Sequence, residues 1–450
     1  MSTGADSKRR GVDGRILRAA AALGVAAIVV KTLAAAKEFA VAGVYGRSDV
    51  MDAFLAAALI PSLLVNLIAE SMNQALAPTL VRVREQEGEA SAQRLLSSAM
   101  LWSCGLLIAV SLMMAGGVRW ILPVIASNFG PAKLALARQL FYALLPMVVL
   151  AGIATNCITV LNTREHFGLP ALTPALTPVI TMAGALLLGA RMGIWAMVWA
   201  TLAGSALHAL AAIWLMEREG YRFRLWWYGA SQASRQVARQ YGPVLLSSVV
   251  ASGGLVVDQA MAASMSSGSV STLAYANRFV TVVVGLLGGA ISSAMMPYFS
   301  QMVAHRDWAA CRCSLRTWLR RTLAVSVLVT LALVAGSHLL VRLAYQHGAF
   351  HAQDTALVAP VLAMYALQIP FFVSSRVFYR FLLALGRTDL IFYCGALNLG
   401  LDVVLNLVLM RWLGVAGIAL ATSLWTVATF AFLGFWAARL LRRAELEAAL

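Results

Sequence analysis

Charged and amide side chains are scarce in this sequence, and the informative ones sit inside long apolar stretches, where an ion is expensive. Lys31, Lys37 and Glu38 fall in the stretch 16–44. Lys31 and Glu38 are seven residues apart and would share a helix face, with Lys37 on its flank. One reading pairs a lysine with Glu38 to tie helices together. The other makes the lysines a cationic wall for an anionic substrate, and two positive charges against one negative favour it. In the next stretch Asp52 stands near the outer end, and Asn66, Glu70, Asn73 and Gln74 follow helical spacing as one polar stripe. Interhelical hydrogen bonding accounts for the asparagines. Glu70 needs more, either a basic partner or a proton or cation role. Farther along stand Asp258 and Arg278. An arginine grips phosphate with two hydrogen bonds and stays charged when desolvated, although one near a helix end can also snorkel to the interface. Asn398, Asp402 and Asn406 recur every four residues, a stripe better suited to holding helices together than to touching substrate.

No constellation for bond-making chemistry accompanies these residues. The sequence holds no GxxxxGK[ST] phosphate loop, no HExxH and no paired-cysteine metal motif. His166, His208, His305, His338, His347 and His351 are dispersed. Cys311 and Cys313 are expected in a cytoplasmic loop without metal-ligand spacing, and Cys104, Cys157 and Cys394 are scattered. No soluble segment is large enough for an active site. The expectation is a non-enzyme without cofactor or metal, driven by the membrane potential, a coupling ion or the substrate gradient.

The elements that carry these residues follow from composition. Of 450 residues 61% are hydrophobic and 12% charged, whereas a water-exposed surface needs about twice that charge. Apolar runs long enough to span hydrocarbon recur at 16–44, 51–78, 95–118, 135–161, 170–190, 193–216, 240–265, 272–301, 319–343, 354–383, 389–410 and 414–438. The expected fold is all-α, a polytopic membrane protein of about twelve transmembrane helices. Residues 1–15 are polar and basic with no small-residue cleavage site after them, which predicts a retained first helix rather than a signal peptide. With the N-terminus inside, 25 of the 35 Lys and Arg fall in or beside cytoplasmic segments and seven outside. That bias predicts both termini in the cytoplasm. The net charge of +16 then sets topology and meets anionic membrane lipid; nucleic acid is not needed as a partner.

The chain also repeats itself. EFAVAGVYGRSDVMDAF and AESMNQALAPTL, within 38–87, parallel DQAMAASMSSGSVSTLAYANRF and GAISSAMMPYFSQ, within 258–307, with Pro78 and Pro297 ending two long helices. ITVLNTREHFGLP at 158–170 parallels FLLALGRTDLIF at 381–392, and MGIWAMVWATLAG at 192–204 parallels LGVAGIALATSLW at 413–425. Three matches in order at a near-constant offset predict two pseudo-symmetric six-helix lobes in parallel orientation, with a central cavity. The lobes would be 1–216 and 240–450, the second with a cytoplasmic tail. Between them, 217–239 would be a basic and aromatic cytoplasmic linker with Trp226 and Trp227 at the headgroup layer. Gly285, Gly288 and Gly289 lie mid-helix, where they permit close packing or a bending gate. Pro61, Pro146, Pro174, Pro178 and Pro370 interrupt other spans, which is tolerated where a helix lines a cavity.

Several segments are more specific than hydropathy. Lys31-Thr32 through Lys37-Glu38 looks like a basic first helix ending in an Arg-Asp pair. MDAFLAAALIPSLLVNLIAESMNQALAPTL carries Asp52, Ala53, Phe54, Pro61, Glu70, Gln74 and Pro78 in a DAF…P…AEG…QAF.P pattern. LAYANRF at 273–279 is similar to a YADR element, and LAYQHGAF at 343–350 to an FQYGKF element. On these residues most of 20–435 resembles the MurJ/MviN family of the multidrug/oligosaccharidyl-lipid/polysaccharide exporter superfamily. The resemblance implies that the chain flips a polyprenyl-pyrophosphate-linked glycan, the peptidoglycan precursor lipid II first among them, by alternating access. It also implies cell-envelope synthesis proteins as partners. Lys31, Lys37 and Arg278 match the family's functional cations and would bind the pyrophosphate. Glu38, Asp52, Glu70, Gln74, Asp258 and Gly288 would be supporting or gating residues. Departures are lysines in place of the first-helix arginines, Asn277 in place of the Asp before Arg278, and an end after twelve helices where lipid II flippases usually have two more. They keep open a flippase for a lipid-linked exopolysaccharide unit. A cation-coupled multidrug exporter is a further alternative, and it would favour an acidic cavity.

Overall fold

The computed structural model describes the backbone of residues 3–164, 168–229 and 231–449; side chains are described for all of these except 3–23, 247, 250–251, 290–294, 297 and 448–449. The N-terminal basic residues Lys8 to Arg18, the side chain of Pro297, and His166 therefore lie outside the described part. Among the described residues the chain is helical and free of strands. It forms twelve rods: α1 (Thr3–Tyr45), α2 (Asp49–Glu87), α3 (Glu89–Ile125), α4 (Pro131–Thr163), α5 (Gly168–Met192), α6 (Ile194–Arg218), α7 (Gln232–Ala263), α8 (Ser269–Ala304), α9 (Trp308–Tyr345), α10 (Ala352–Ala384), α11 (Thr388–Leu413) and α12 (Val415–Ala449). Ten of them meet the length and composition needed to cross a membrane on their described residues alone, all except α1 and α7. The protein is a multi-pass membrane protein of the expected all-α class.

Rods rather than sheets follow from the solvent. Hydrocarbon offers no hydrogen bonds, so each span must satisfy its own backbone. The interruptions are correspondingly short and local. α4 breaks at Leu145 before Pro146, and α10 at Leu367–Gln368 before Pro370, because proline has no N–H to give the preceding turn. α5 carries a 3₁₀ turn at Thr173–Ala175, and α2 a π turn at Val65–Ala69 directly before Glu70.

Most rods outrun the apolar runs. α9 begins at Trp308 rather than 319, so the expected loop holding Cys311, Cys313, Arg312 and Arg316 is helix. Asp307 caps it, its carboxylate accepting the Ala310 N–H at 2.9 Å. The second half of the expected linker is likewise helix, since α7 starts at Gln232. The rest of that segment is bound to α3. The Gln93 side chain both accepts from the Arg222 N–H (2.9 Å) and donates to its carbonyl (2.8 Å), and Trp227 meets Trp102 edge-on. Hydropathy marks the hydrocarbon layer alone, while helices continue past it wherever caps and side-chain contacts permit.

The sharp turns recur between the two halves. Gly193 joins α5 to α6 at φ 57° and ψ −140°, and Gly414 joins α11 to α12 at φ 60° and ψ −138°. Gly46 and Gly268 take positive φ in the α1–α2 and α7–α8 turns. Gly88 does so after α2 and Arg306, at φ 54°, after α8.

The chain packs as two compact units. The first contains residues 1–44, 53–122 and 131–249. Its core brings Leu76, Leu80, Leu96, Met100, Val160 and Met216 together from α2, α3, α4 and α6. α5 and α6 approach closely through small residues, in the manner of membrane helices that have no hydrophobic effect to drive them together. A Cβ on Gly204 would lie 2.9 Å from the Thr177 Cα. Arg164, directly after α4, pairs with Glu89 at the start of α3 at 2.8 Å and covers the Tyr221 ring, just beyond α6, at 4.5 Å. Burial works to lower the Arg164 pKa, and its bonds to Glu89 and Tyr221 outweigh this and raise it.

The second unit contains residues 45–52, 123–130 and 250–450. At one end of it the α1–α2 turn is tied to the α7–α8 turn by a dense polar latch. Asp52 is buried, and its two oxygens accept the Gly268 N–H at 2.7 Å and the Ser271 N–H at 2.9 Å, capping α8 from another element. The Arg47 guanidinium donates to the Gly268 carbonyl (3.0 Å), the Thr272 hydroxyl (2.7 Å) and the Ser267 carbonyl (3.0 Å). Tyr275 donates to the Gly46 carbonyl at 2.9 Å and stacks with Tyr345 and Phe350. The segments LAYANRF and LAYQHGAF thus supply one aromatic plug.

Two outcomes are expected in thermal unfolding of the detergent-solubilised chain. Gly204→Leu forces backbone apart and destabilises by about 1–3 kcal/mol, visible as a lower Tm, whereas Gly105→Ala, with open space around it, leaves Tm unchanged. Asp52→Ala strands two buried N–H groups and costs about 2 kcal/mol or more, while Asp52→Asn, which keeps one acceptor, loses less.

Candidate functional site

α1 is a single helix through the lysine region, and its outward positions Val25, Ile28 and Val29 are exposed and apolar. Lys31 and Lys37 are both half-buried. Lys37 reaches its sequence neighbour Glu38 with an Nζ–Oε1 distance of 2.8 Å. Adjacent helical residues do not normally face each other, so this pair depends on the length of the lysine stem. The pair neutralises one lysine within a single helix. Lys31 makes no ion pair or hydrogen bond with a described residue. Of Lys31 and Lys37, Lys31 alone has no counter-charge among the described residues.

The stripe on α2 forms as the spacing predicted. Ser62, Asn66, Glu70, Gln74 and Pro78 are exposed, while Ile68, Ser71, Met72, Ala75, Leu76 and Thr79 on the other side are buried in the first unit. Glu70 therefore faces away from its unit's core. The π turn immediately before it offsets the helical register at this position, a device often found at functional sites.

The second unit contributes four further charged residues. Arg278 is half-buried on α8, two turns in from the Asp52 latch. Gly288 lies beside the stem of Arg376 on α10, at an ordinary contact distance of 4.0 Å from where a Cβ would sit. The glycine is thus not sterically obligatory. Arg376 covers the Phe372 ring at 4.6 Å and sits two turns inside the end of α10. Arg376 and Arg380 both lie within the helix, as they do within the apolar run 354–383.

Asp258 and Asp402 come together across α7 and α11. The Asn406 amide nitrogen donates to Asp258 at 2.8 Å and to Asp402 at 3.1 Å, and the Thr422 hydroxyl donates to Asp258 at 3.2 Å. All four side chains are buried. One Asp402 oxygen, the Asn406 oxygen and the Trp425 N–H find no hydrogen-bond partner among the described residues. Two buried carboxylates sharing one amide, with oxygens left over, form a set of hard donors that fits a proton or a monovalent cation. Sequence reasoning had split this group, reading Asp402 and Asn406 as packing and Asp258 as a lone support. The four-residue period of α11 was visible, but Asp258 on α7 lies 148 positions from Asn406 on α11 and 164 from Thr422 on α12. No group of three or more His, Cys, Asp or Glu that could hold a metal occurs among the described residues.

The family profile described as "Lipid II flippase MurJ" matches residues 41–448. A protein of Synechocystis sp. named "Probable lipid II flippase MurJ" is 24% identical over 419 residues, 88% of this chain and 77% of its own. A solved structure described as "Lipid II flippase MurJ, inward closed conformation" aligns with a TM-score of 0.80 at 22% identity, over 92% of this chain and 86% of the other. An inward-facing multidrug resistance MATE family transporter of the MOP superfamily also reaches 0.80, at 11% identity over 93% and 95% of the two chains. The structural likenesses establish the fold, and the profile covering nine-tenths of the sequence establishes the family. This chain belongs to the MurJ lipid II flippase family.

Proposed function

We propose that this chain is a flippase for a polyprenyl-pyrophosphate-linked glycan, with lipid II as its substrate, working by alternating access in a bacterial inner membrane with both termini cytoplasmic. The observation that carries the proposal is Lys31, a membrane-embedded cation without a counter-charge among the described residues of its own unit. Retaining such a charge is costly, and the cost is recovered when an anion passes. The pyrophosphate is the part of such a lipid that hydrocarbon rejects, while its polyprenyl chain can remain among lipid tails. Arg278 adds a guanidinium able to grip phosphate oxygens in pairs. The Lys37–Glu38 pair gives Lys37 a secondary part, since an arriving anion must compete with Glu38. The lobe boundaries expected from the repeat, 1–216 and 240–450, are the bodies that would move.

The acidic pair on α7 and α11 supports cation coupling. Two carboxylates buried side by side repel unless a positive charge joins them. Binding of a proton or monovalent cation at Asp258 and Asp402 would therefore draw α7, α11 and α12 together, and release would loosen them.

Two experiments test these readings. In cells depleted of their own flippase, the wild-type chain should restore outer-leaflet lipid II. Lys31→Ala with Arg278→Ala should cut it by about tenfold or more, from the loss of two charge-assisted contacts, at unchanged protein abundance. Full activity of the double variant would refute the cation mechanism. A wild-type chain that rescues an exopolysaccharide block and leaves lipid II unflipped would refute the substrate. For coupling, Asp402→Asn removes one of the paired charges. Transport in vesicles should then lose its dependence on the sodium or proton gradient, and an unchanged gradient dependence counts against the assignment.

A further inference from the structure

The arginines that lengthen α9 beyond its apolar run build a cavity of their own. Arg312, Arg316 and Arg320 recur every four residues and are all exposed on one helix face. With Cys313, Thr317 and, from α12, Glu445, they line an open cavity of about 640 Å³. Glu445 is ion-paired to Arg312, which fixes that guanidinium and leaves Arg316 and Arg320 as excess positive charge. Neither makes an ion pair or hydrogen bond with a described residue. At the same level of α9, Trp318 lies under the Arg321 guanidinium at 5.6 Å, an aromatic and cation combination that belongs at headgroup depth.

The same face of α9 continues without a break into hydrocarbon. One turn beyond Arg320 it exposes Ala324, and then Val327, Leu328 and Leu331, the last two 69% and 61% exposed. An anion socket that runs into an apolar track has the shape of a lipid with a charged head. A freely diffusing anion would need the arginines alone and would gain nothing from the track.

From this juxtaposition we propose that the α9–α12 cavity is a binding site for an anionic phospholipid, its headgroup phosphodiester held by Arg316 and Arg320 and its acyl chain laid along Leu328 and Leu331. Arginine forks suit the two free phosphodiester oxygens, and basic pockets between membrane helices take such headgroups. The site lies outside the residues proposed to move the glycan lipid. Its occupant would brace α9 against α12 rather than cross the membrane.

Cys313 supplies the reporter, because it lies in the cavity and is exposed while the other four cysteines are buried. The full chain is placed in nanodiscs of phosphatidylcholine alone, or of phosphatidylcholine with an equal amount of phosphatidylglycerol. Alkylation of Cys313 by uncharged N-ethylmaleimide is followed by peptide mass. Phosphatidylglycerol should slow it by about fivefold, and Arg316→Ala with Arg320→Ala, both surface positions, should abolish the slowing. Equal rates in the two nanodiscs would overturn the proposal. So would the same slowing in the double variant, which would reduce the effect to general surface charge. Equal protection by inorganic phosphate in lipid-free detergent would reassign the site to free anions, and stronger protection by a polyprenyl phosphate would reassign it to the transported lipid.

Discussion

Inside hydrocarbon a polar group has nothing to bond to except the protein itself, and each main feature of this chain answers to that constraint. Backbone groups are consumed within long helices, and the few interruptions, at Leu145, Leu367–Gln368 and the 3₁₀ turn of α5, are no longer than a proline requires. Helix ends raise the same problem at closer quarters. The first N–H groups of α8 are met by the Asp52 carboxylate, which arrives from the start of α2. A side chain predicted for gating is thereby also a structural fastener, and the Arg47 bonds around it close the remaining carbonyls of the α7–α8 turn.

The same constraint separates charges that hold the fold from charges that await something. Lys37 with Glu38, and Arg164 with Glu89, are compensated in place. Lys31 has no such partner among the described residues, and Asp258 and Asp402 lie together with one Asp402 oxygen unpartnered among them. A folded chain tolerates such groups only if other interactions outweigh them.

A third class of charge lies where helices leave the hydrocarbon. The arginines of α9 and the aromatic residues of 221–228 belong to segments that continue the rods or pack back on them. Their energetics are those of an interface, where a guanidinium can keep water and still reach a phosphate. The chain therefore exposes both apolar faces, such as Leu328 and Leu331, and cationic helix ends, such as Arg316 and Arg320.

Much of this was legible in the sequence. Twelve apolar runs became twelve rods because burial of apolar length against hydrocarbon is a local, additive quantity. The repeat was legible for a related reason, since the glycine turns at Gly193 and Gly414 demand the same backbone in both halves. The α2 stripe through Glu70 and Gln74 could be read because one helix fixes the angular positions of its own residues. Other features required tertiary structure. Asp52 as the cap of α8, the pairing of Asp258 with Asp402 through Asn406, and Arg376 packed beside Gly288 each join residues more than 85 positions apart. Helical periodicity says which way a side chain points along its own rod and nothing about which rod stands opposite. Only packing decides whether a buried charge finds a partner, and so whether it holds the fold or remains available to a ligand.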